Sequence, residues 1–266
     1  TLDPNAVGVL PVCLGKATKL CNLLSEKDKT YTATMLLGTE TDTQDTTGQI
    51  TNQTPEEEVM KLSEEKVFDV IKSYIGEYDQ IPPMFSAIKI NGQKLYNLAR
   101  RGEEVERPAR QCKIVDITIT DVDLPRVEMI VTCSKGTYIR TLCHDIGNKL
   151  GVYGCMDKLE RTRVERFKVE ESITLEQIEK ARDDGRLKDY IVPVDQMLDK
   201  YSKCIVSEKF DKLIYNGNKF TAGNTLLRMN FEDKQKVRVY AQNGDFIGIY
   251  EFDAHKQIYK PIKIFL

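Results

Sequence analysis

The chain has no tryptophan and only two histidines, His144 and His255, far apart in sequence. So little histidine leaves a zinc site or a Ser-His-Asp triad almost nothing to be built from. The seven cysteines, Cys13, Cys21, Cys112, Cys133, Cys143, Cys155 and Cys204, are scattered, odd in number and never spaced C-x-x-C. They read as reduced packing residues of a cytosolic protein, not as a disulfide framework or a metal ribbon. No run of about 18 apolar residues occurs, so no membrane-spanning helix is expected. The opening residues have no basic stretch followed by an apolar one, so no export signal is visible. A phosphate-cradling loop is missing as well, because the polar stretch GTETDTQDTTG lacks the lysine such a loop needs.

Neither sign of charge dominates. The net charge is -2, which by itself argues against a polyanionic partner. The distribution argues the other way. Lys89 to Lys113 carries seven basic residues (Lys89, Lys94, Arg100, Arg101, Arg107, Arg110, Lys113) against Glu103, Glu104 and Glu106. Lys158 to Lys168 adds Lys158, Arg161, Arg163, Arg166 and Lys168 against Glu160 and Glu165. The acids crowd into Glu56 to Asp79 and Glu170 to Asp195. Segregation of this kind can build a basic face on an acidic protein, and a phosphate backbone sees the face. Charge alone leaves solvated helix surfaces as an equally good account.

With 266 residues and 41% hydrophobic content, there is enough chain for one large domain, or a large and a small one. No internal repeat or low-complexity tract is visible. Tyr31, Ala33, Met35 and Leu37 alternate along a strand that runs into the polar GTETDTQDTTG loop. Ser63 caps a helix whose apolar residues Val67, Val70, Ile71 and Tyr74 follow helical spacing, with Gly76 as its stop. Pro82 and Pro83 stiffen an extended stretch, Asn91-Gly92 is a hairpin-type turn, and Lys94 to Arg101 reads as a helix ended by Gly102. Val127 to Cys133 alternates as a strand. SKGTYIRTLCHDIGNKLG then turns at Gly136 into a helix ending before Gly151, with Ile139, Leu142, Cys143, Ile146 and Leu150 as its apolar stripe. Arg140 lies roughly 100° from the centre of that stripe, in the first turn, so it is aimed elsewhere than a core-filling residue. His144 reads as a helix-surface or core residue. A boundary is expected near Pro193. Beyond it CIVSEKFDKLIYNGNKF, VRVYAQNGDFIGIYEF and YKPIKIFL read as short strands with Asn-Gly turns, a β-rich appendage of roughly 70 residues.

The chain opens TLDPNAVGVLPVCLGKATKL, with Asp3 at the mouth of an apolar segment. A carboxylate there calls for a partner, although Asp-Pro is also a common turn opener. Taken alone, these features support a mixed α/β protein that binds an anion.

Four stretches in order, TLDPNAVGVLPVCLGKATK, YTATMLLGTETDTQDTTG, QIPPMFSAIKINGQKLYNLARRGEEVERPAR and CSKGTYIRTLCHDIGNKLG, closely resemble the TruB family of tRNA pseudouridine synthases, its bacterial branch best. The likeness runs from residue 1 to about Phe167, with a weaker echo in FIGIYEF and KPIKIFL. It implies a mixed α/β (α+β) fold: a pseudouridine synthase-type catalytic domain on a largely antiparallel sheet over residues 1–192, then a β-rich PUA-like domain over residues 193–266. It implies that a T-loop uridine, number 55 in tRNA, is cleaved at N1, turned and rejoined through C5. Such an isomerisation is redox-neutral, so no cofactor and no metal are expected.

By the same resemblance Asp3 is the nucleophile and Arg140 its partner. A carboxylate nucleophile is ionised near neutrality, and a neighbouring guanidinium orients its oxygens through charge-assisted hydrogen bonds. Tyr31 matches the tyrosine that stacks on the extruded base, and a flipped base needs such an aromatic face. Leu159 aligns with a leucine lining the same pocket, and Lys135 and Tyr138 shape it. The 80–110 segment resembles the part that grips the T arm, with Lys89, Arg100 and Arg110 as phosphate contacts. The expected partner is therefore tRNA, through its T arm and T loop, bound by a cytoplasmic monomer with no membrane association. The family normally has a strand, a helix and a GHTG-like loop ahead of TLDP, so the chain is expected to be part of a longer protein. Two other classes stay open: an RNA-binding protein with an idle site, and a carboxylate glycosidase of free nucleosides, which would need a second carboxylate.

Overall fold

The computed structural model describes residues 2–227 and 231–266; Thr1 of the opening motif lies outside them. The chain divides into two compact units, one of residues 1–12 and 22–172, the other of residues 13–21 and 173–266. That division falls earlier than the Pro193 read from composition, and it assigns the Cys13–Cys21 segment to the second unit.

The first unit is built on a seven-stranded sheet. Across it lie Val7–Gly8, Gly154–Val164, Lys29–Leu37, Arg126–Cys133, Arg110–Asp123 and Gly76–Gln80, with Phe167–Lys168 folded back on Gly154–Val164. The Val7–Gly8 pairing is parallel and the other pairings are antiparallel, so the largely antiparallel sheet expected from the sequence is present. The alternation in Lys29–Leu37 has a direct cause. Tyr31, Ala33, Met35 and Leu37 turn to the buried face, where Val127, Met129, Val131 and Cys133 of the neighbouring strand join them. Period-two patterning of this kind fixes the register, because a slip by one residue would expose the whole set.

The helix Ile139–Leu150 packs its apolar stripe onto this face, with Leu142, Cys143 and Ile146 fully buried. Fully burying a side chain of this size contributes roughly 1.5–3 kcal/mol. Gly147 lets the helix approach the sheet closely, since a Cβ there would fall 2.3 Å from the Gly154 nitrogen. Gly151, at φ +83°, ends the helix in the left-handed region. A second helix, Glu64–Lys72, starts at Ser63, whose side chain accepts from the Lys66 amide at 3.3 Å, and it buries Val67 and Ile71. Gly76 opens the next strand; the helix has already closed at Ser73, three residues earlier than the sequence pattern suggested.

The second unit holds a five-stranded sheet in the order Ser202–Ile205, Lys236–Tyr240, Phe246–Asp253, Ile258–Ile264, Phe220–Thr221. Its core gathers Phe220, Val237, Val239, Tyr250, Phe252 and Tyr259. The stretch KFDKLIY, read above as strand, is helical: a 3-10 turn over Glu208–Phe210 leads into the short helix Asp211–Tyr215. Phe210, Leu213 and Ile214 follow helical spacing, and Ile214 is the residue buried.

Candidate active site

Asp3 sits four residues ahead of the Val7–Gly8 strand, in a turn closed by the Ala6 amide donating to the Asp3 carbonyl at 3.0 Å. Its carboxylate is about one-third exposed and faces the guanidinium of Arg140, whose side chain is 5% exposed. Arg140 Nε donates to Asp3 Oδ2 at 2.8 Å and Nη2 to Oδ1 at 3.1 Å. This two-point pairing is the strongest arrangement a carboxylate and a guanidinium can make, and it fixes the carboxylate plane.

Arg140 is itself held. Its Nη1 donates to the Thr43 carbonyl at 2.8 Å and its Nη2 to the Phe85 carbonyl at 3.0 Å. The first carbonyl comes from the GTETDTQDTTG loop, which the sequence marked only as polar. That loop is organised by Asp45, whose Oδ1 accepts from the Thr43 hydroxyl at 2.7 Å and from the Thr47 amide at 3.0 Å. It is anchored to the Gly154–Val164 strand by the Thr46 amide on the Met156 carbonyl and the Met156 amide on the Gln44 carbonyl, both at 3.0 Å. Gln44, at φ +63°, presents Oε1 to the Thr141 hydroxyl at 2.7 Å. Asp45 also brings a second carboxylate, its Oδ2 standing 3.9 Å from Arg140 Nη1.

The helix carrying Arg140 is fixed at its start by Gln80. This buried side chain accepts from the Tyr138 amide at 2.7 Å and donates to the Tyr138 carbonyl at 2.9 Å. The first turn of a helix has amides without helical partners, and Gln80 satisfies a backbone group just ahead of them. Gln80 and the Phe85 carbonyl both belong to the 80–110 segment, which is thereby tied to the site floor. Neither was picked out from the sequence.

Tyr31 is 8% exposed in the Lys29–Leu37 strand. Burial is the main cause pushing its phenol up to about 12, and the nearby Arg161 guanidinium opposes this. Asp3 is close enough to Tyr31 to raise it further. Leu159 pairs with Ala33 on the adjoining strand and is buried at 9% within the apolar core. Tyr138, half-buried, is the residue that precedes the Arg140 helix. Lys135 is exposed and paired with Glu26. Lys89 lies in the hairpin formed by Lys89–Ile90 and Gln93–Lys94, Arg100 sits 5.4 Å over the Tyr96 ring, and Arg110 opens the Arg110–Asp123 strand; all three basic side chains are exposed.

One residue of the basic stretches is turned inward. Arg161 is 4% exposed, because its strand position faces Tyr31 and the Val7–Gly8 edge. It therefore leaves the expected surface face. Arg163 is half-buried, donating to the Thr30 hydroxyl at 3.1 Å and to the Glu165 carbonyl at 3.1 Å. Among the described residues no group of three or more His, Cys, Asp or Glu is placed to hold a metal ion, and no helix is long and apolar enough to cross a membrane. A shallow cavity of about 550 Å³ is lined by Leu37, Thr39, Gln53, Pro55, Val59 and Pro125 among others, none of them a member of the Asp3–Arg140 set.

Residues 1–139 match the TruB family pseudouridylate synthase N-terminal domain, and residues 140–199 match the tRNA pseudouridylate synthase B C-terminal domain. The chain is 44% identical over 264 residues to the tRNA pseudouridine synthase B of Clostridium tetani, covering 99% of this chain and 87% of that protein. It is 44% identical over 276 residues to the protein of that name from Lachnoclostridium phytofermentans, covering 100% and 89%. Among solved structures, a chain of a Cbf5-Nop10-Gar1 complex superposes with a TM-score of 0.67 at 25% identity, covering all of this chain and 74% of that one. A chain of an H/ACA RNP bound to a substrate RNA superposes at 0.66 with 22% identity, covering 100% and 74%, a likeness of fold.

Proposed function

Because the chain belongs to the TruB family of pseudouridylate synthases, we propose that it converts uridine 55 in the T loop of tRNA into pseudouridine, with Asp3 as the nucleophile. The single observation that carries the assignment of Asp3 is its two-point pairing with the buried Arg140. A structural ion pair could sit anywhere on the surface and contribute little. This one keeps a third of the carboxylate open to solvent, while its cationic partner is locked by backbone carbonyls on two loops. Such preorganisation holds the carboxylate in one orientation without the cost of ordering it during the reaction.

In the isomerisation the N1–C1′ bond breaks with its electron pair left on N1, the detached uracil turns within the site, a C5–C1′ bond forms, and the C5 proton is lost to solvent while N1 takes one up. Arg140 orients the Asp3 carboxylate for its attack and holds it in place until it is released. Tyr31 offers its ring to the extruded base, replacing the stacking that the base gives up when it leaves the T loop. Leu159 and Tyr138 border the same pocket. Lys89, Arg100 and Arg110 meet phosphates of the T arm, contacts that position the RNA without reading its sequence. The second unit, residues 13–21 and 173–266, is the PUA-like domain that accompanies the catalytic one. The protein works as a monomer in the cytoplasm.

The experiment is release of tritium from tRNA labelled at uridine C5. Release by the wild-type chain together with silence of Asp3→Asn, which retains tRNA binding, is the expected result. Wild-type turnover in Asp3→Asn would remove Asp3 from the mechanism. Release of free uracil from uridine would move the protein to the glycosidases.

A further inference from the structure

Gln44 holds a backbone conformation that its residue type disfavours. At φ +63° it lies in the left-handed region, which glycine adopts freely and which asparagine or aspartate tolerates better than a longer side chain does. Its main chain is held there from both sides. The amide donates to the Thr41 carbonyl at 3.1 Å, and the carbonyl accepts from the Met156 amide at 3.0 Å. Glycine could make both bonds without strain, so what glutamine adds is its carboxamide.

That carboxamide is half used. Its Oε1 accepts from the hydroxyl of Thr141 at 2.7 Å, and Thr141 is itself buried at 2% exposure in the Arg140 helix. The Nε2 end has no hydrogen-bond partner among the described residues, and it is not one of the buried polar atoms that lack one. It therefore meets solvent, with two N–H donors to offer. Its place follows from its chain neighbours. Gln44 follows Thr43 and Thr141 follows Arg140, so the Gln44–Thr141 bond runs beside the 2.8 Å bond from Arg140 Nη1 to the Thr43 carbonyl. The open amide stands one residue away, on loop and helix alike, from the guanidinium that holds Asp3.

A donor in this place answers a need of the reaction. The electron pair left on N1 when the N1–C1′ bond breaks spreads through the ring onto the two carbonyl oxygens, O2 and O4. An N–H already aimed at one of them binds the detached uracil more tightly than the intact uridine, which is the condition for a gain in rate. Asp3 and Asp45 cannot do this as carboxylates, because they only accept. We propose that Gln44 Nε2 donates to a carbonyl oxygen of the flipped uracil, its amide held ready by the Thr141 hydroxyl. The proposal rests on the reading of the chain as a uridine isomerase.

The test uses Gln44→Gly, which suits the left-handed turn and so keeps the loop. Single-turnover isomerisation is measured on tRNA carrying uridine, 2-thiouridine or 4-thiouridine at the target position, sulfur being the poorer acceptor. On uridine the variant should lose about a hundredfold, the cost of deleting one preset donor, with KM for tRNA unchanged. On the thio substrate whose sulfur replaces the contacted oxygen the loss should largely vanish, and on the other it should persist, which identifies the oxygen. Thr141→Val, which removes the anchor and keeps the donor, should cost less than Gln44→Gly. An equal loss on all three substrates makes Gln44 structural and overturns the proposal, as does full activity on uridine. A second reading is independent of turnover. The side-chain amide resonances of Gln44, assigned by their absence in Gln44→Gly, should shift when tRNA is added to Asp3→Asn protein, and stay in place when the target nucleotide is abasic. Resonances that ignore the base overturn the proposal too. If the wild-type chain isomerises no uridine, the reading of the function has failed; if it does and Gln44 answers neither measurement, this inference alone falls.

Discussion

Asp3 and Arg140, 137 residues apart in the chain, meet through two hydrogen bonds of 2.8 and 3.1 Å. The pairing keeps its geometry only if the side chain at position 3 accepts from both guanidinium nitrogens. Asparagine has the same shape but a single acceptor oxygen, so Asp3→Asn keeps one of the two bonds and removes the nucleophile. Isomerisation should fall at least about a thousandfold, as when a nucleophile is deleted elsewhere, while filter binding of tRNA stays within a few-fold of wild type. A variant that lost binding in step with turnover would make Asp3 a recognition residue.

Arg140 makes four hydrogen bonds through its three nitrogens, two to Asp3 and one each to the Thr43 and Phe85 carbonyls. Lysine supplies the charge but not the planar fork. Arg140→Lys should therefore remain folded, lose about a hundredfold in single-turnover rate, and leave tRNA affinity nearly unchanged. Arg140→Ala strands the Thr43 and Phe85 carbonyls, and a loss of about 1–3 kcal/mol in denaturant-derived stability is expected, the half-open Asp3 carboxylate being rehydrated. Full activity in Arg140→Lys would show that charge alone suffices.

Gln80 exchanges two hydrogen bonds with the backbone of Tyr138 and is 2% exposed. Gln80→Ala leaves the half-buried Tyr138 amide without its partner, costing about 1 kcal/mol, while the Tyr138 carbonyl keeps the Leu142 amide at 3.1 Å. Gln80→Glu is the sharper probe, because a carboxylate can still accept from the Tyr138 amide but no longer donates to its carbonyl. Thermal unfolding should rank wild type above Gln80→Glu, and rates should drop in both variants as the start of the Arg140 helix loosens. Equal stability of all three proteins would mean that the 80–110 segment is not tied to the helix in solution.

How far the sequence spoke depends on the kind of atom involved. Strand Lys29–Leu37 and helix Ile139–Leu150 were legible because each buries one face, so their apolar periods are two and 3.6 residues. KFDKLIY was misread because a short apolar run has either period until its neighbours decide. The carbonyls of Thr43 and Phe85 leave no trace in a sequence, since every residue carries one. Arg161 counted as surface charge because its strand position, opposite Tyr31, depends on a pairing between residues more than a hundred apart.

Four phenols, Tyr31, Tyr74, Tyr240 and Tyr250, are pushed up to about 12, chiefly by burial. An unfolded tyrosine ionises near pH 10. Between these values the folded protein keeps protons that the unfolded chain releases, so stability falls as pH rises. The contribution is whole below about pH 10 and is lost as pH passes through about 12. Of the twelve tyrosines, an exposed class should ionise first in absorbance at 295 nm, and a buried class only together with loss of circular dichroism. A single step near pH 10 with the fold intact would contradict the burial of these rings.

The exposed cations of the 80–110 segment give the last expectation. If Lys89, Arg100 and Arg110 meet phosphates, binding releases counterions, and the logarithm of tRNA affinity falls linearly with the logarithm of salt concentration. Each contact adds roughly 0.7–0.9 to the slope. Lys89→Ala, Arg100→Ala and Arg110→Ala should each flatten it by about one and weaken binding to all tRNAs alike. Arg101 is a built-in control, because its guanidinium is already engaged by Glu103 at 2.7 Å, so Arg101→Ala should change the slope least. A slope unaltered by the three substitutions, or altered most by Arg101→Ala, would place the RNA on another face.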